Sequence, residues 1–372
     1  MVQSIYIDNY KCFDNTEINL NSLNLLIGDN GAGKTAFFEV LSAIKKLVID
    51  EKKIGDVFSS RTLTRWQHRN TQTIELVVED DGRVYTYRLE VEHDLENVQQ
   101  RIQKECLHLD GRPLFSFELG EVQLYRDDFS KGPTYPFDWS RSALATIMPR
   151  NDNKRLTHFK RRLANTHILR IAPFSMTAES KKEATQPDVG FTNFASWYRH
   201  VSQERPNQQL EFFDDLREVI DGFQMLRMLS DGGERRIMEM QIDHNTDASH
   251  DELTSYRFDE LSDGQRALIV LYAIMRFTLH KGTILCIDEP ENYLALPEIQ
   301  PWLLELEMAC QESDAQAILI SHHPELIDLL ALEKGLLFSR SSAGPVRTQP
   351  IDVDELGRIT VSDFVARGWI NE

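Results

Sequence analysis

The 372-residue chain has only four cysteines, Cys12, Cys106, Cys286 and Cys310, and they are widely scattered. With no CxxC pair, the pattern argues against a disulfide scaffold and a cysteine-based zinc site, and it fits a reducing cytoplasm. Long hydrophobic runs are also missing. No uninterrupted apolar stretch approaches the roughly 20 residues of a membrane span, so no membrane partner is expected. The N-terminal MVQSIYIDNYKCF alternates polar and apolar residues and lacks the apolar stretch of a signal peptide. Positive charge is scarce as well. Lys and Arg total 41 against 59 Asp and Glu, a formal net charge of −18, so nucleic acid would need a local basic patch to overcome the average field. There is no internal repeat and no low-complexity tract. What is present, 41% hydrophobic and 27% charged residues, supplies full cores, and the length suggests two or three units.

Residues 2–27 read as strands: Ile5 and Ile7 on one face, Glu17–Leu20, then the apolar run Leu23–Ile27. From Lys34 the spacing of Phe37, Val40, Leu41, Ile44 and Leu47/Val48 predicts an amphipathic helix. Hairpins follow, with Ile74–Val78 and Val84–Val91 around Asp81-Gly82, and β-like runs punctuated by Asp110-Gly111 and Gly120 up to Tyr125. Residues 140–222 turn helix-rich and polar. Leu210, Phe213, Leu216 and Val219/Ile220 mark one face of a helix between Pro206 and Gly222. A hairpin over Gln224–Leu229 and Arg235–Ile242 turns at Asp231-Gly232-Gly233, and a polar loop runs from His244 to Asp251. The last third alternates helix from Gly264, strand Thr283–Ile287, helix Pro297–Glu312, strand Ala315–Ile320 and a strand near Gly335–Phe338, the pattern of a parallel or mixed α/β sheet.

Between an apolar strand and an amphipathic helix stands Gly28-Asp29-Asn30-Gly31-Ala32-Gly33-Lys34-Thr35, a full GxxxxGK[ST] phosphate loop. Its glycines let backbone N–H groups turn inward around a phosphate, and the helix N-terminus adds partial positive charge. Lys34 then bridges the β- and γ-phosphates of ATP, and the Thr35 hydroxyl ligates Mg²⁺. The strand ending in Asp288-Glu289 offers a second carboxylate site. Asp288 is placed to hold Mg²⁺ through water and Glu289 to act as general base on the attacking water. Taken alone, the same residues would also suit a solvated acidic turn.

Leu261-Ser262-Asp263-Gly264-Gln265 opens a long apolar helix (Ala267, Leu268, Leu271, Ile274), with Ser262 as N-cap. It lies 26 positions before Asp288, and this order resembles the signature motif of ABC-type ATPases. Ile318–Pro324, ILISHHP, resembles the switch-histidine segment of that family, which makes His322 the γ-phosphate contact. IDNYKCF resembles the opening motif of the RecF/SMC/OLD-like branch, where the basic residue, here Lys11, reaches the nucleotide. DEPENYL resembles its DEPE-N-x-L-H-P element, except that Ala295 and Leu296 replace His-Pro. Val365–Trp369 is similar to the tail of compact RecF-like ATPases, and no Q-loop glutamine is assigned.

The resemblance implies an α/β P-loop NTPase of ABC-ATPase head type, with a mixed sheet core, an antiparallel β lobe and a helical insertion. The expected division is residues 1–139 as N-terminal lobe, 140–222 as helical arm, and 223–372 as C-terminal lobe. Lys34 and Ser262 are 228 residues apart, with no sustained heptads or zinc hook between them for an SMC coiled coil, and no carboxy-terminal nuclease domain is read. Because a signature Ser-x-Gly of this family completes the site of a second subunit, the resemblance also implies a head-to-tail homodimer. Two ATPs would be sandwiched by Lys34 and Thr35 of one chain and Ser262, Gly264 and Gln265 of the other. The role expected is the sensor ATPase of a bacterial anti-phage system with a separately encoded nuclease or toxin; the alternative is a RecF-like DNA-repair ATPase. A transporter subunit is disfavoured by the insertion and the opening motif.

One basic stretch interrupts the acidic background: Arg150, Lys154, Arg155, Lys160, Arg161, Arg162 and Arg170, with His158 and Phe159 interleaved. It could track a DNA backbone, or serve equally as a solvated helix face or as partners for the surplus carboxylates. His244, His250 and His280 have no metal-ligand spacing.

Overall fold

The structure is a computed structural model that describes residues 1–244, 253–340, 344–351 and 360–366. Most of the polar loop expected over His244–Asp251, and the last part of the Val365–Trp369 tail, lie outside the described residues. The chain forms two compact units built from discontinuous segments: Met1–His167 with Gly282–Cys286 and Asp314–Glu372, and Ile168–Lys281 with Ile287–Ser313. Among the described residues no helix is long and apolar enough to cross a membrane.

The first unit holds the phosphate-loop sheet, whose strand order is Thr166–Leu169, Ile284–Asp288, Gln316–Ile320, Leu23–Ile27, Gly335–Arg340, Val346–Pro350. Two of these strands run their last residues into the second unit. Leu23–Ile27 pairs in parallel with the strands on both sides, and the final strand closes the edge antiparallel, giving a mixed sheet. Every residue of Leu23–Ile27, Ile284–Asp288 and Gln316–Ile320 is buried, as continuous apolar runs covered on both faces must be. The helix Lys34–Val48 buries Phe37, Phe38, Val40, Leu41, Ile44, Leu47 and Val48. The strand Thr166–Leu169 was read as part of the helical arm. At four residues behind a cation-rich helix, it is too short to display a strand period.

A second, eight-stranded sheet forms the β lobe, in the order Thr16–Asn19, Val2–Asp8, Thr71–Asp80, Arg83–Asp94, Gln99–Leu109, Arg112–Glu118, Glu121–Tyr125, Lys131–Pro136. All its pairings are antiparallel. Thr71–Asp80 alternates buried and half-buried residues without a break, the mark of a sheet with one face on a core.

The second unit gathers the helices Phe194–Glu204, Pro206–Val219, Asp263–Phe277 and Leu296–Ser313 beside a small sheet of Glu179–Ser180, Phe223–Ser230, Arg236–Ile242 and Thr254–Arg257. The helix Asp263–Phe277 is buried at nine consecutive positions, Ala267–Met275, so it reads as apolar all round. The buried face of Pro206–Val219 is Phe212 and Leu216, whereas Leu210, expected on it, is 64% exposed. Phe212 sets the rotation by packing its ring against Tyr198 and Phe277, an aromatic cluster that helical spacing alone does not reveal.

Candidate nucleotide-binding site

The phosphate loop leaves the central strand at Gly28, where φ is +137° and a Cβ would lie 2.0 Å from the carbonyl oxygen of Phe338, so no other residue fits. The loop closes through an Ala32 N–H to Asp29 carbonyl bond of 3.1 Å. Gly33, also left-handed, then starts the helix with no side-chain cap and no acidic residue in the first turn. The first N–H groups of the helix are therefore left for an anion. Lys34 is buried, and its ammonium donates to the carbonyls of Gly28 at 2.6 Å and Asp29 at 3.0 Å. The loop thus holds its own cation over its concave side.

A cavity of about 560 Å³ opens there, within the range of nucleotide-sized sites. Of the residues singled out in the sequence, Lys11, Asn30, Gly31, Gly33, Lys34, Thr35 and His322 line it. Gly28 and Ala32 belong to the same loop without forming its wall. Lys11 sits in a left-handed turn after Val2–Asp8 and pairs with Glu39 of the helix Lys34–Val48. Cys12 packs so that a Cβ on Gly33 would lie 2.9 Å from its sulfur, and burial pushes the thiol up, keeping it protonated.

Besides Cys12, Ala36 and Leu63, four charged or aromatic wall residues were missed in the sequence: Arg61, Arg65, Trp66 and Arg340. Arg340 ends the strand Gly335–Arg340 and lays its guanidinium over the Trp66 ring, 5.0 Å from the centroid. The segment 60–66 is tied to the opening motif. The Lys11 N–H donates to Thr62 (2.6 Å), Thr64 Oγ1 donates to the Phe13 carbonyl (3.2 Å), and the buried amide of Gln72 donates to the carbonyls of Asn9 and Thr62. The cue in the sequence was the run SRTLTRW, cations around a tryptophan in an acidic chain. The resulting wall carries Lys11, Lys34, Arg61, Arg65, Arg340 and His322, and no carboxylate is among its described lining residues. Such a chamber suits a triphosphate.

The other residues singled out are not among the described lining residues of this chamber. Asp288 is buried at the end of its strand. Glu289 follows in a left-handed conformation (φ +55°) and its carboxylate accepts from Asn292 Nδ2 at 2.7 Å. Ser262 is exposed and caps its helix in a capping box: its hydroxyl accepts from the Gln265 N–H (3.2 Å), and Gln265 Oε1 accepts from the Ser262 N–H (3.1 Å). Gly264 packs against the turn that follows Glu289. Ala295 precedes the helix Leu296–Ser313, its N–H donating to Glu298 at 2.7 Å.

The basic stretch does not form one surface. Arg162 is buried between Asp80 (3.1 Å) and Asp314 (3.6 Å). Lys160 donates to the carbonyls of Ala145 and Ile147, and burial lowers its pKa. Arg155 stacks on Phe129 at 4.7 Å. Arg170 is exposed outside the helix. Lys154 and Arg161 face a separate cleft.

A family model described as "AAA domain, putative AbiEii toxin, Type IV TA system" matches residues 23–328. No curated protein matches. Among solved structures, the SMC head bound to the C-terminal winged-helix domain of ScpA aligns at 13% identity and a TM-score of 0.52, over 95% of this chain and 99% of that one. The SMC head domain from Thermotoga maritima aligns at 13% identity and 0.48 over 95% and 99%. The Smc head of Pyrococcus furiosus with an extended coiled coil aligns at 11% and 0.47 over 94% and 96%. With the phosphate loop, its cationic chamber and the head fold in hand, the chain belongs to this AAA family and is an ATP-hydrolysing enzyme of ABC-type, SMC-like head architecture.

Proposed function

We propose that the chain is a Mg²⁺-dependent ATPase that works as a conformational clamp, two copies closing head to tail on two ATP molecules. The observation that carries this reading is the chamber around Lys34, lined also by Lys11, Arg61, Arg65, His322 and Arg340. Lys34, the helix N–H groups and Thr35 bind the triphosphate, and Lys11 and His322 reach it from the same walls. Thr35 and Asp288 are the residues that would hold Mg²⁺, which supplies charge neutralisation to the β- and γ-phosphates. Glu289 takes the proton of the attacking water, its carboxylate steadied by Asn292. The chamber walls come from the first unit and Ser262 is exposed. That supports Ser262, Gly264 and Gln265 serving the nucleotide of a second copy. Hydrolysis removes the γ-phosphate that both copies grip, and the closed state loses its advantage.

In the cell this clamp would be the sensor ATPase of a bacterial anti-phage system acting on a separately encoded nuclease or toxin; the family description, a toxin of a type IV toxin–antitoxin system, is in line with that setting. The test of the clamp is Glu289→Gln. It should bind ATP as the wild type does, lose turnover by about 10²–10⁴-fold, and run as a dimer with ATP in light scattering. A monomer under those conditions, or unchanged hydrolysis, would remove the reading. The test of the setting is phage challenge of cells carrying the native operon: Lys34→Ala should abolish protection.

A further inference from the structure

The helix Lys154–Ala164 sorts the cations of the basic stretch into two sets. Arg155, Lys160 and Arg162 are spent on a ring, on carbonyls and on buried carboxylates. Lys154 and Arg161, seven residues apart and so on one helix face, line a cleft of about 470 Å³ together with Arg150 and His158. All three of Arg150, Lys154 and Arg161 are exposed, and none pairs with a carboxylate among the described residues. Elsewhere the acidic excess is used freely: Arg69, Arg88 and Arg276 each hold two carboxylates. The helix N-terminus adds little here, because Asp127 accepts from the N–H groups of Lys154 and Arg155 at 2.9 and 3.0 Å. Three like charges facing one cleft repel one another, and a polyanion with repeated phosphates relieves that repulsion.

We infer that this cleft docks the sugar–phosphate backbone of a nucleic acid. The one ring that lines it, His158, is engaged by Tyr85 and Asp80, and Pro149, Asn151 and Thr157 bring none on which a base could stack. Recognition is therefore of phosphates and independent of sequence. The site is separate from the nucleotide chamber and does not depend on the clamp, so binding is measured without ATP.

The experiment is fluorescence anisotropy of a labelled 20-mer, single-stranded and duplex, from 50 to 200 mM salt. Wild type should bind, and combining Arg150→Gln, Lys154→Gln and Arg161→Gln should cost about 30-fold or more and flatten the salt slope by roughly 2–3. Each single change should take roughly one unit of slope. A control of equal charge, Lys52→Gln with Lys53→Gln and Lys181→Gln, should change affinity less than about 3-fold, since average charge alone contributes little. Unaltered ATP turnover in both triples reports that they fold. No binding by wild type at 50 mM salt, equal losses in the two triples, or binding of inorganic polyphosphate but of neither 20-mer would overturn the inference.

Discussion

Gly264 faces the carbonyl of Tyr293 so closely that a Cβ there would stand 2.8 Å from the oxygen. Tyr293 is itself left-handed (φ +76°), and it belongs to the turn in which Asn292 holds Glu289 by backbone and side chain. The start of the signature helix and the carboxylate turn are thus one packed piece. Gly264→Ala must push the turn away and with it Glu289. Turnover should fall by at least about 10-fold while the ATP dissociation constant of the single protomer, whose own site Gly264 does not serve, moves by less than about 3-fold, the split that separates a misplaced base from loss of that protomer's binding. Full activity in that variant would mean that the turn yields freely.

Lys34 is a ligand of its own loop before any nucleotide arrives, through the Gly28 and Asp29 carbonyls. Removing it takes away both the phosphate contact and the tie that shapes the cradle. Lys34→Ala should weaken ATP by about 100-fold or more in calorimetry, at least the 2.7 kcal/mol that such a fold-change represents. Retained affinity would refute the assignment of the phosphate loop.

Trp66, half-exposed under Arg340, presents a ring in the wall of the same chamber, and a base stacked there gains about 1–3 kcal/mol. Trp66→Ala should weaken ATP by about 10-fold, and Trp66→Phe should restore most of the loss. Inorganic tripolyphosphate, which has no base, should bind Trp66→Ala as it binds the wild type. Equal weakening of both ligands would instead mean that the substitution damages the phosphate cradle.

How much of this was legible follows from the range of the interactions. Gly28–Thr35, Asp288-Glu289 and Ser262–Gln265 are local devices whose residue types, order and neighbouring elements are written within a few positions, and the hairpin at Asp81-Gly82 is equally local. The walls contributed by Arg61, Trp66 and Arg340 depend on contacts between segments distant in the chain, such as the Lys11 N–H on the Thr62 carbonyl and the Arg340 guanidinium over Trp66. The helix face of Phe212 was misjudged because Tyr198 and Phe277, outside the helix, decide its rotation. Cations of one stretch look alike in sequence, yet Arg162 and Arg161 are buried and exposed neighbours. The positions of Asp80, 82 residues earlier in the chain, and Asp314, 152 residues later, distinguish them.

His93 is buried in the β lobe with Nε2 on the side-chain amide oxygen Oε1 of Gln72 at 2.8 Å, while its Nδ1 is buried without a hydrogen-bond partner. Charging the ring would put a proton where nothing accepts it, and burial lowers its pKa to about 4 from an ordinary 6.5. Because the unfolded chain takes up that proton first, the His93 contribution is complete above about pH 6.5 and is lost as pH falls toward about 4. Full loss would amount to roughly 3 kcal/mol as an upper figure. Urea unfolding at pH 7.5 and 5 should show a larger drop for the wild type than for His93→Gln. Since Gln72 also ties Asn9 to the segment carrying Arg61, nucleotide affinity should weaken over the same range. An equal drop in both proteins would contradict the assignment.

Arg162 supplies the sharpest contrast with its neighbours. Its guanidinium reaches Asp80 at 3.1 Å and Asp314 at 3.6 Å, with Asp80 almost fully buried, and a Cβ on Gly282 would lie 1.7 Å from Nη1. The strand-end segment around Gly282 is therefore moulded on this cation. Arg162→Gln leaves Asp80 buried next to the carboxylates of Asp81 and Asp314, with His158 as its remaining ion-pair partner among the described residues, and breaking such a pair costs about 3–5 kcal/mol. Arg162→Gln should therefore unfold at markedly lower urea concentration, whereas Arg161→Gln, one residue away on the open face, should stay within about 0.5 kcal/mol of wild type. The nucleic-acid experiment should rank the two in the opposite order, with Arg161→Gln losing affinity and salt slope and Arg162→Gln, at a temperature where it is folded, losing neither. If the two substitutions cost the same in both measurements, the division of this helix into a structural face and a binding face is wrong.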